Sequence, residues 1–177
     1  VPVLGSVTDI KTTERTITQH GVDAVFHAAA HKHVPLVEAN VFEGIRNNVL
    51  GTYLLGDAAG RAEVERFVLV STDKAVRPTS IMGVTKRLAE IAIQELQTKY
   101  ATTSFAAVRF GNVLGSNGSV LEIFKDQIQA GKPLTVTHPE VTRYFMTIPE
   151  AVHLILQASL LPDMRGRIAM LEMGEPI

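Results

Sequence analysis

The sequence predicts an α/β protein built on a doubly wound parallel sheet. Three observations carry that expectation. Apolar, β-branched or small-residue runs recur at residues 23–30, 66–70 and 104–110, and strands buried on both faces read as such near-continuous runs. Longer stretches between them place apolar residues at three- and four-residue steps, the period of a helix with one buried face. Strands alternating with amphipathic helices argue for a parallel sheet with helices on both sides.

In chain order, residues 2–5 read as a short strand. A helix follows over residues 10–20, with Gly21 placed to end it in a left-handed cap. Asp9 has two readings: a helix N-cap, whose carboxylate accepts a terminal N–H, or a residue facing a bound ligand. The second strand, 23–30, runs into Ala28, Ala29 and Ala30, and small side chains let a flat ligand approach the backbone closely. Lys32 lies in the next loop, where an ammonium suits a phosphate or a sugar hydroxyl. His31 and His33 flank it, but no cysteine and no clearly placed carboxylate completes a metal set, so no metal is expected.

Residues 36–59 read as one helix with a stripe of Val41, Ile45, Val49, Thr52, Leu55 and Ala59. Gly51 inside it costs about 1 kcal/mol of helix propensity, which close packing would explain. Asn48 reads as a structural residue holding backbone near the site. The third strand, 66–70, delivers Thr72, Asp73 and Lys74 to its carboxyl end, where open α/β sheets bind ligands. A helix from about Met82 to Tyr100 comes next, with Val84, Leu88, Ile91, Ala92 and Leu96 as its expected buried face. Met82 and Lys86 are four apart and share a face.

The strand 104–110 ends at Gly111 and Asn112, whose amide offers both donors and acceptors; a turn-forming role beside glycine is the alternative. Ser119 is the expected N-cap of a helix over 120–130. A short strand is expected at 134–137, then Arg143, whose fork suits a diphosphate. Pro149 sits in the first turn of a last helix ending near Leu160, and a final strand falls within 167–173.

Composition narrows the function classes. The formal net charge is −1 without a basic run, which leaves no footprint for nucleic acid. The absence of cysteine removes disulfides and thiolate catalysis. No run of about 18 apolar residues is present, so this chain holds no membrane span. Val1 is not an initiator, and the expectation is a piece of a longer protein.

The text Ser-Thr-Asp-Lys-Ala-Val-Arg-Pro-Thr-Ser-Ile-Met-Gly-Val-Thr-Lys-Arg, residues 71–87, resembles the catalytic segment of the extended short-chain dehydrogenase/reductases. Within that superfamily it resembles the large, Met-bearing bacterial UDP-N-acetylglucosamine 4,6-dehydratases of polysaccharide biosynthesis. The likeness runs from the Asp9 region to the Met-Gly-Glu-Pro ending. It implies a Rossmann-like sheet with its N-terminal unit missing, since no Gly-x-x-Gly-x-x-Gly follows the first strand. Residues 1–112 would then be a partial dinucleotide-binding domain and 113–177 a small, incomplete substrate-binding part. As it stands, such a fragment is expected to be inactive and to have an exposed sheet edge.

The resemblance also implies roles. Asp73 is the acid at the C6 hydroxyl, Lys74 the base at C5, Thr72 a hydrogen bond to O4, and Lys86 the holder of the nicotinamide ribose. Met82 stands where most of the superfamily has the Tyr that takes the O4 proton. Asp9, Ile10, Ala28, Ala29, Lys32 and Lys86 are implied contacts of NAD or NADP; Lys32, Asn112 and Arg143 of a UDP-sugar. A homo-oligomer is implied, located in the cytoplasm or, if a membrane anchor precedes this chain, at the cytoplasmic face of the bacterial inner membrane. Epimerisation, dehydration with C5 inversion and non-catalytic nucleotide binding are the competing readings.

Overall fold

A computed structural model describes residues 1–116, 120–136, 138, 140 and 142–176. The core is a four-stranded, wholly parallel sheet of β1 (Ala24–His27), β2 (Arg66–Val70), β3 (Ser104–Arg109) and β6 (Ile168–Met170), in that spatial order. A separate two-stranded parallel pair joins β4 (Asn112–Val113) to β5 (Phe145–Met146). The strand at 66–70 thus forms over its whole expected length, and those at 23–30, 104–110 and 167–173 form trimmed to their hydrogen-bonded parts.

Alternation along β2 and β3 divides the core. Phe67, Leu69, Phe105 and Ala107 point to one face and pack on Ile17, Ala58, Ala59, Ala89, Ile93 and Leu96. These come from α1 (Ile10–His20), α4 (Gly51–Arg61) and α5 (Ile81–Lys99). Val68 and Val108 point the other way and pack on Ala151, Ile155 and Ala158 of α7 (Ile148–Leu160) and on Met146. Helices therefore cover both faces, as a doubly wound sheet requires.

The local signals for helix ends hold. Asp9 caps α1 by accepting from Thr12 N, and Gly21 closes it at φ +54°. Thr147 and Glu150 form a reciprocal capping box at the start of α7. α6 (Val120–Gln129) forms as expected; its expected cap, Ser119, lies outside the described residues.

Four expectations need correction. Residues 2–5 form no strand; no described strand lies beside them to complete a ladder. Residues 134–136 are likewise irregular, and Thr137 lies outside the described residues. The helix expected over 36–59 is broken into α2 (Val34–Ala39), α3 (Val41–Ile45), a π-helical turn (Arg46–Leu50) and α4. Asn40 causes the first break: at φ −136°, ψ 57° it leaves the helical region, and its amide caps Leu36 O. Of the expected stripe, Thr52 and Ala59 are buried and Leu55 packs partly on the core, but Gly44 and Asn48 take the inner positions expected of Ile45 and Val49. Fourth, Val84, Leu88 and Ile91 on α5 are 38 %, 41 % and 46 % exposed. The inner face of that helix is Met82, Thr85, Lys86, Ala89, Glu90, Ile93 and Leu96. Gly51 does mark close packing, since a Cβ there would stand 2.8 Å from Val7 Cγ2.

The π-helical turn aims Asn48 inward. Its Oδ1 accepts from His31 N at 2.7 Å, and its Nδ2 donates to His31 O at 2.9 Å and to Thr85 Oγ1 at 3.0 Å. One amide thus holds the loop after β1 against α5. Replacing it (Asn48→Ala) strands both His31 backbone groups and is expected to cost about 1–3 kcal/mol. Urea denaturation checks this; a loss under about 0.5 kcal/mol would mean that water takes over the clamp.

Candidate functional site

β2 and β3 pair in register, Val70 opposite Val108, so the residues after both strands emerge side by side. Ser71 N donates to Val108 O at 2.7 Å and Asp73 N to Phe110 O at 2.9 Å, which extends the pairing beyond the ladder. Thr72 accepts from Lys74 N and so caps the 3₁₀ turn Asp73–Ala75. That turn fixes Asp73 and Lys74 as neighbours facing the end of β3. Thr72 Oγ1 donates to Asp73 Oδ1 at 3.0 Å. Lys74 Nζ donates to the same oxygen at 3.1 Å and to Asn112 Oδ1 at 3.2 Å. The Asp73 and Lys74 side chains are 34 % and 38 % exposed, within reach of a ligand at this edge.

Gly83 lets α5 approach. A Cβ there would lie 2.5 Å from Lys74 O, so a side chain would push the helix off the 3₁₀ turn. This contact brings Lys86 beneath the site. Its Nζ donates to Val70 O at 2.7 Å, and the residue is only 6 % exposed. Burial lowers its pKa to about 8, with the Glu90 carboxylate pulling the other way. Met82, one turn earlier, is buried and carries no proton to exchange. His27, at the end of β1, is buried against Thr52, Nε2 to Oγ1 2.8 Å. Thr52 spends its own proton on Asn48 O, so His27 Nε2 is the donor. Burial first, then the Lys86 charge, lowers the His27 pKa to about 4, and the ring is neutral at neutral pH.

The other expected contacts do not join this cluster directly. Ala28, Ala29 and Lys32 are exposed just past the carboxyl end of β1, on the same sheet edge as Asp73. Asp9 engages both carboxylate oxygens with Thr12, at 3.3 Å to N and 2.7 Å to Oγ1, and those hydrogen bonds lower its pKa. Ile10 packs partly into the core. Arg143 is exposed and donates to its neighbour Thr142 O. No group of three metal-ligating side chains occurs among the described residues.

Sequence reasoning missed Glu90, Ser71 and Arg109. Glu90 is fully buried and receives hydrogen bonds from Ser71, Arg87 and Arg109. The available signal was spacing: Glu90 lies four residues after Lys86, on the same helix face.

A family model described as polysaccharide biosynthesis protein matches residues 1–177. The capsular polysaccharide biosynthesis protein CapD of Staphylococcus aureus is 54% identical over 177 residues, which is 100% of this chain and 29% of that protein. A UDP-glucose 4-epimerase of Rickettsia canadensis is 42% identical over 157 residues, 88% of this chain and 46% of that protein. Among solved structures, DesIV, the dTDP-glucose 4,6-dehydratase of Streptomyces venezuelae with NAD and TYD bound, superposes with a TM-score of 0.86. That match covers 98% of this chain and 58% of that one at 22% identity, a likeness of fold alone. The chain thus spans under a third of CapD and under half of the epimerase.

The state of Lys86 has a measurable consequence. It titrates near 8 when folded against 10.5 for an unperturbed lysine. The unfolded chain therefore binds more protons between those values, and stability rises with pH through that window. Relative to Lys86→Met, the wild type is expected to gain stability from pH 8 to 10.5, by up to about 1.4 kcal/mol per pH unit. A difference independent of pH in denaturant titrations would show that Lys86 is not desolvated.

Proposed function

The chain belongs to the polysaccharide biosynthesis protein family, and from that premise we propose that it carries the catalytic centre of a nucleotide-sugar 4,6-dehydratase. The proposed substrate is a UDP-N-acetylhexosamine, UDP-N-acetylglucosamine in the first instance, and the product a 4-keto-6-deoxy sugar for surface polysaccharide. One observation carries this reading. The Asp73 carboxyl and the Lys74 amine stand 3.1 Å apart at a strand end and share a proton along that contact, beside Thr72 and Asn112.

Elimination of water across C5 and C6 needs such a pair. The step runs from the tautomer in which the proton shared along the Lys74 Nζ to Asp73 Oδ1 hydrogen bond sits on Asp73. The neutral Lys74 amine takes the C5 proton, which an adjacent C4 ketone has acidified, and the protonated Asp73 carboxyl gives its proton to the departing C6 hydroxyl, which leaves as water. Thr72 Oγ1 hydrogen-bonds O4, and with Met82 unable to take its proton, that task falls to Thr72, Asp73 or water. Asn112 and Lys32 hold the sugar and diphosphate, with Arg143 as the outer diphosphate contact.

The residues present fit part of a nicotinamide cofactor, NAD or NADP. Ala28 and Ala29 leave a side-chain-poor surface beside the site, and Lys86 spends one of its three N–H donors on Val70 O, which leaves donors for a ribose. Asp9, through its outer lone pairs, and the Ile10 backbone would meet the adenine. When bound, the nicotinamide would accept hydride from C4 of the sugar and return it at C6. The exposed apolar strip Val84, Leu88 and Ile91 on α5 supports a homo-oligomer. No helix among the described residues is long and apolar enough to cross a membrane. A UDP-sugar substrate places the reaction in the cytoplasm or at the cytoplasmic face of the inner membrane.

A second reading is a nucleotide-sugar 4-epimerase, favoured by the Rickettsia relative. Asp73 and Lys74 argue against it, because inversion at C4 alone has no use for a base at C5 or an acid at C6.

Incubating the intact protein with UDP-N-acetylglucosamine in D₂O separates these. Dehydration is expected to give a C6 methyl signal with deuterium at C5 in the NMR spectrum. C4 inversion without deuterium at C5 would establish epimerisation, and an unchanged sugar with cofactor bound would leave a binding module. Asp73→Asn and Lys74→Met are each expected to slow methyl formation by about 10²- to 10⁴-fold.

A further inference from the structure

Glu90 is 0 % exposed, yet the proposed reaction leaves it without a task. Its Oε1 accepts from Ser71 Oγ at 2.6 Å and from Arg109 Nε at 2.7 Å. Its Oε2 accepts from Arg109 Nη2 at 2.6 Å and from Arg87 Nη1 at 3.1 Å. These partners sit on separate elements, each of which delivers part of the site. Ser71 directly precedes Thr72, Asp73 and Lys74. Arg109 ends β3, three residues before Asn112. Glu90 itself lies one helical turn after Lys86, on α5, which opens with Ile81 and Met82.

We propose that Glu90 is a positioning residue: through Ser71 and Arg109 it fixes the Thr72–Lys74 turn and the Asn112 turn relative to each other and to the Lys86 face of α5. Filling the same space with an apolar side chain would avoid the desolvation of a carboxylate. Such a side chain would not make directional bonds to two strand ends at once. The charged and titratable groups around this point are Arg87 and Lys86 from α5 and Arg109 from β3. The neutral His27 of β1 feels the Lys86 charge. Hydrogen bonds from Arg109, Ser71 and Arg87 outweigh burial and hold Glu90 below the usual carboxylate range, so the clamp is charged at neutral pH.

Amide hydrogen exchange on the intact protein reads the placement without any substrate. The Asp73 amide donates to Phe110 O and the Asn112 amide to Tyr144 O, and both report on the strand ends. In Glu90→Gln and in Ser71→Ala these two amides are expected to exchange about tenfold faster, the worth of one lost hydrogen bond. The ladder amides at residues 67–69 should keep their wild-type rates. Ser71→Ala leaves Glu90 paired with both arginines, so it serves even if Glu90→Gln does not fold. Unchanged exchange at Asp73 and Asn112 in Ser71→Ala would overturn the proposal. So would equal acceleration at 67–69, since Glu90 would then supply stability alone.

The kinetic arm rests on the dehydratase reading. With UDP-N-acetylglucosamine, Ser71→Ala is expected to lower kcat by about tenfold with KM within about twofold; a raised KM at unchanged kcat would contradict positioning. A wild type without turnover, but with variants showing the localised exchange, would refute the dehydratase and leave the clamp standing.

Discussion

β2 and β3 run parallel and in register, and the chain keeps that pairing for three residues past the ladder through Ser71 N to Val108 O and Asp73 N to Phe110 O. The placement of Thr72, Asp73, Lys74 and Asn112 depends on this constraint. Because the strands end together, Thr72, Asp73 and Lys74 meet Asn112 directly, and Lys74 Nζ bridges the two segments. A one-residue slip would turn Phe67 and Leu69 out of the core, so the burial of Phe67, Leu69, Phe105 and Ala107 fixes the placement of the site.

α5 adds the third wall under a different kind of control. Its contact with the strand ends is made by Gly83 against Lys74 O and by Lys86 against Val70 O. Both are backbone contacts, insensitive to the identity of residues 70 and 74. The cost is a lysine taken almost out of water, which appears as a pKa near 8. The nearby His27 stays neutral for the same reason. Asn48 supplies the matching tie to the loop after β1, so β1, β2 and β3 all reach α5 through hydrogen bonds near their carboxyl ends.

The strands of the main sheet and the caps of α1 and α7 were legible because each is a local signal: an apolar, β-branched run for β2, an apolar, small-residue run for β3, Asp9 and Gly21 around α1, Pro149 in the first turn of α7. The cluster of Thr72, Asp73, Lys74 and Asn112 was legible because it follows strands directly. What failed were the short strands expected at 2–5 and 134–137, whose described residues are irregular, and the inferences from apolar periodicity alone. Val84, Leu88 and Ile91 repeat at helical spacing, yet they face outward. The N-terminal half of the inner face of α5 meets strand ends and backbone and is made of Gly83, Thr85, Lys86, Ala89 and Glu90 beside Met82, while Ile93 and Leu96 fill the core further along. Within the 36–59 segment Gly44 and Asn48 took the inner positions expected of Ile45 and Val49, and a π-helical turn has no periodic signature to read. Glu90 could not be read as a clamp because the two partners that tie it to the strand ends, Ser71 and Arg109, lie 19 residues away in sequence on either side.

The central claim is that Asp73 and Lys74 act on C5 and C6 of a bound hexose. A crystal structure of the intact protein with oxidised cofactor and UDP-N-acetylglucosamine tests it most directly. The account predicts Lys74 Nζ within about 3.5 Å of C5, an Asp73 oxygen in hydrogen-bonding reach of O6, and Thr72 Oγ1 on O4. A sugar seated with O4 on Thr72 but with its C5–C6 edge turned away from Asp73 and Lys74 would contradict dehydration.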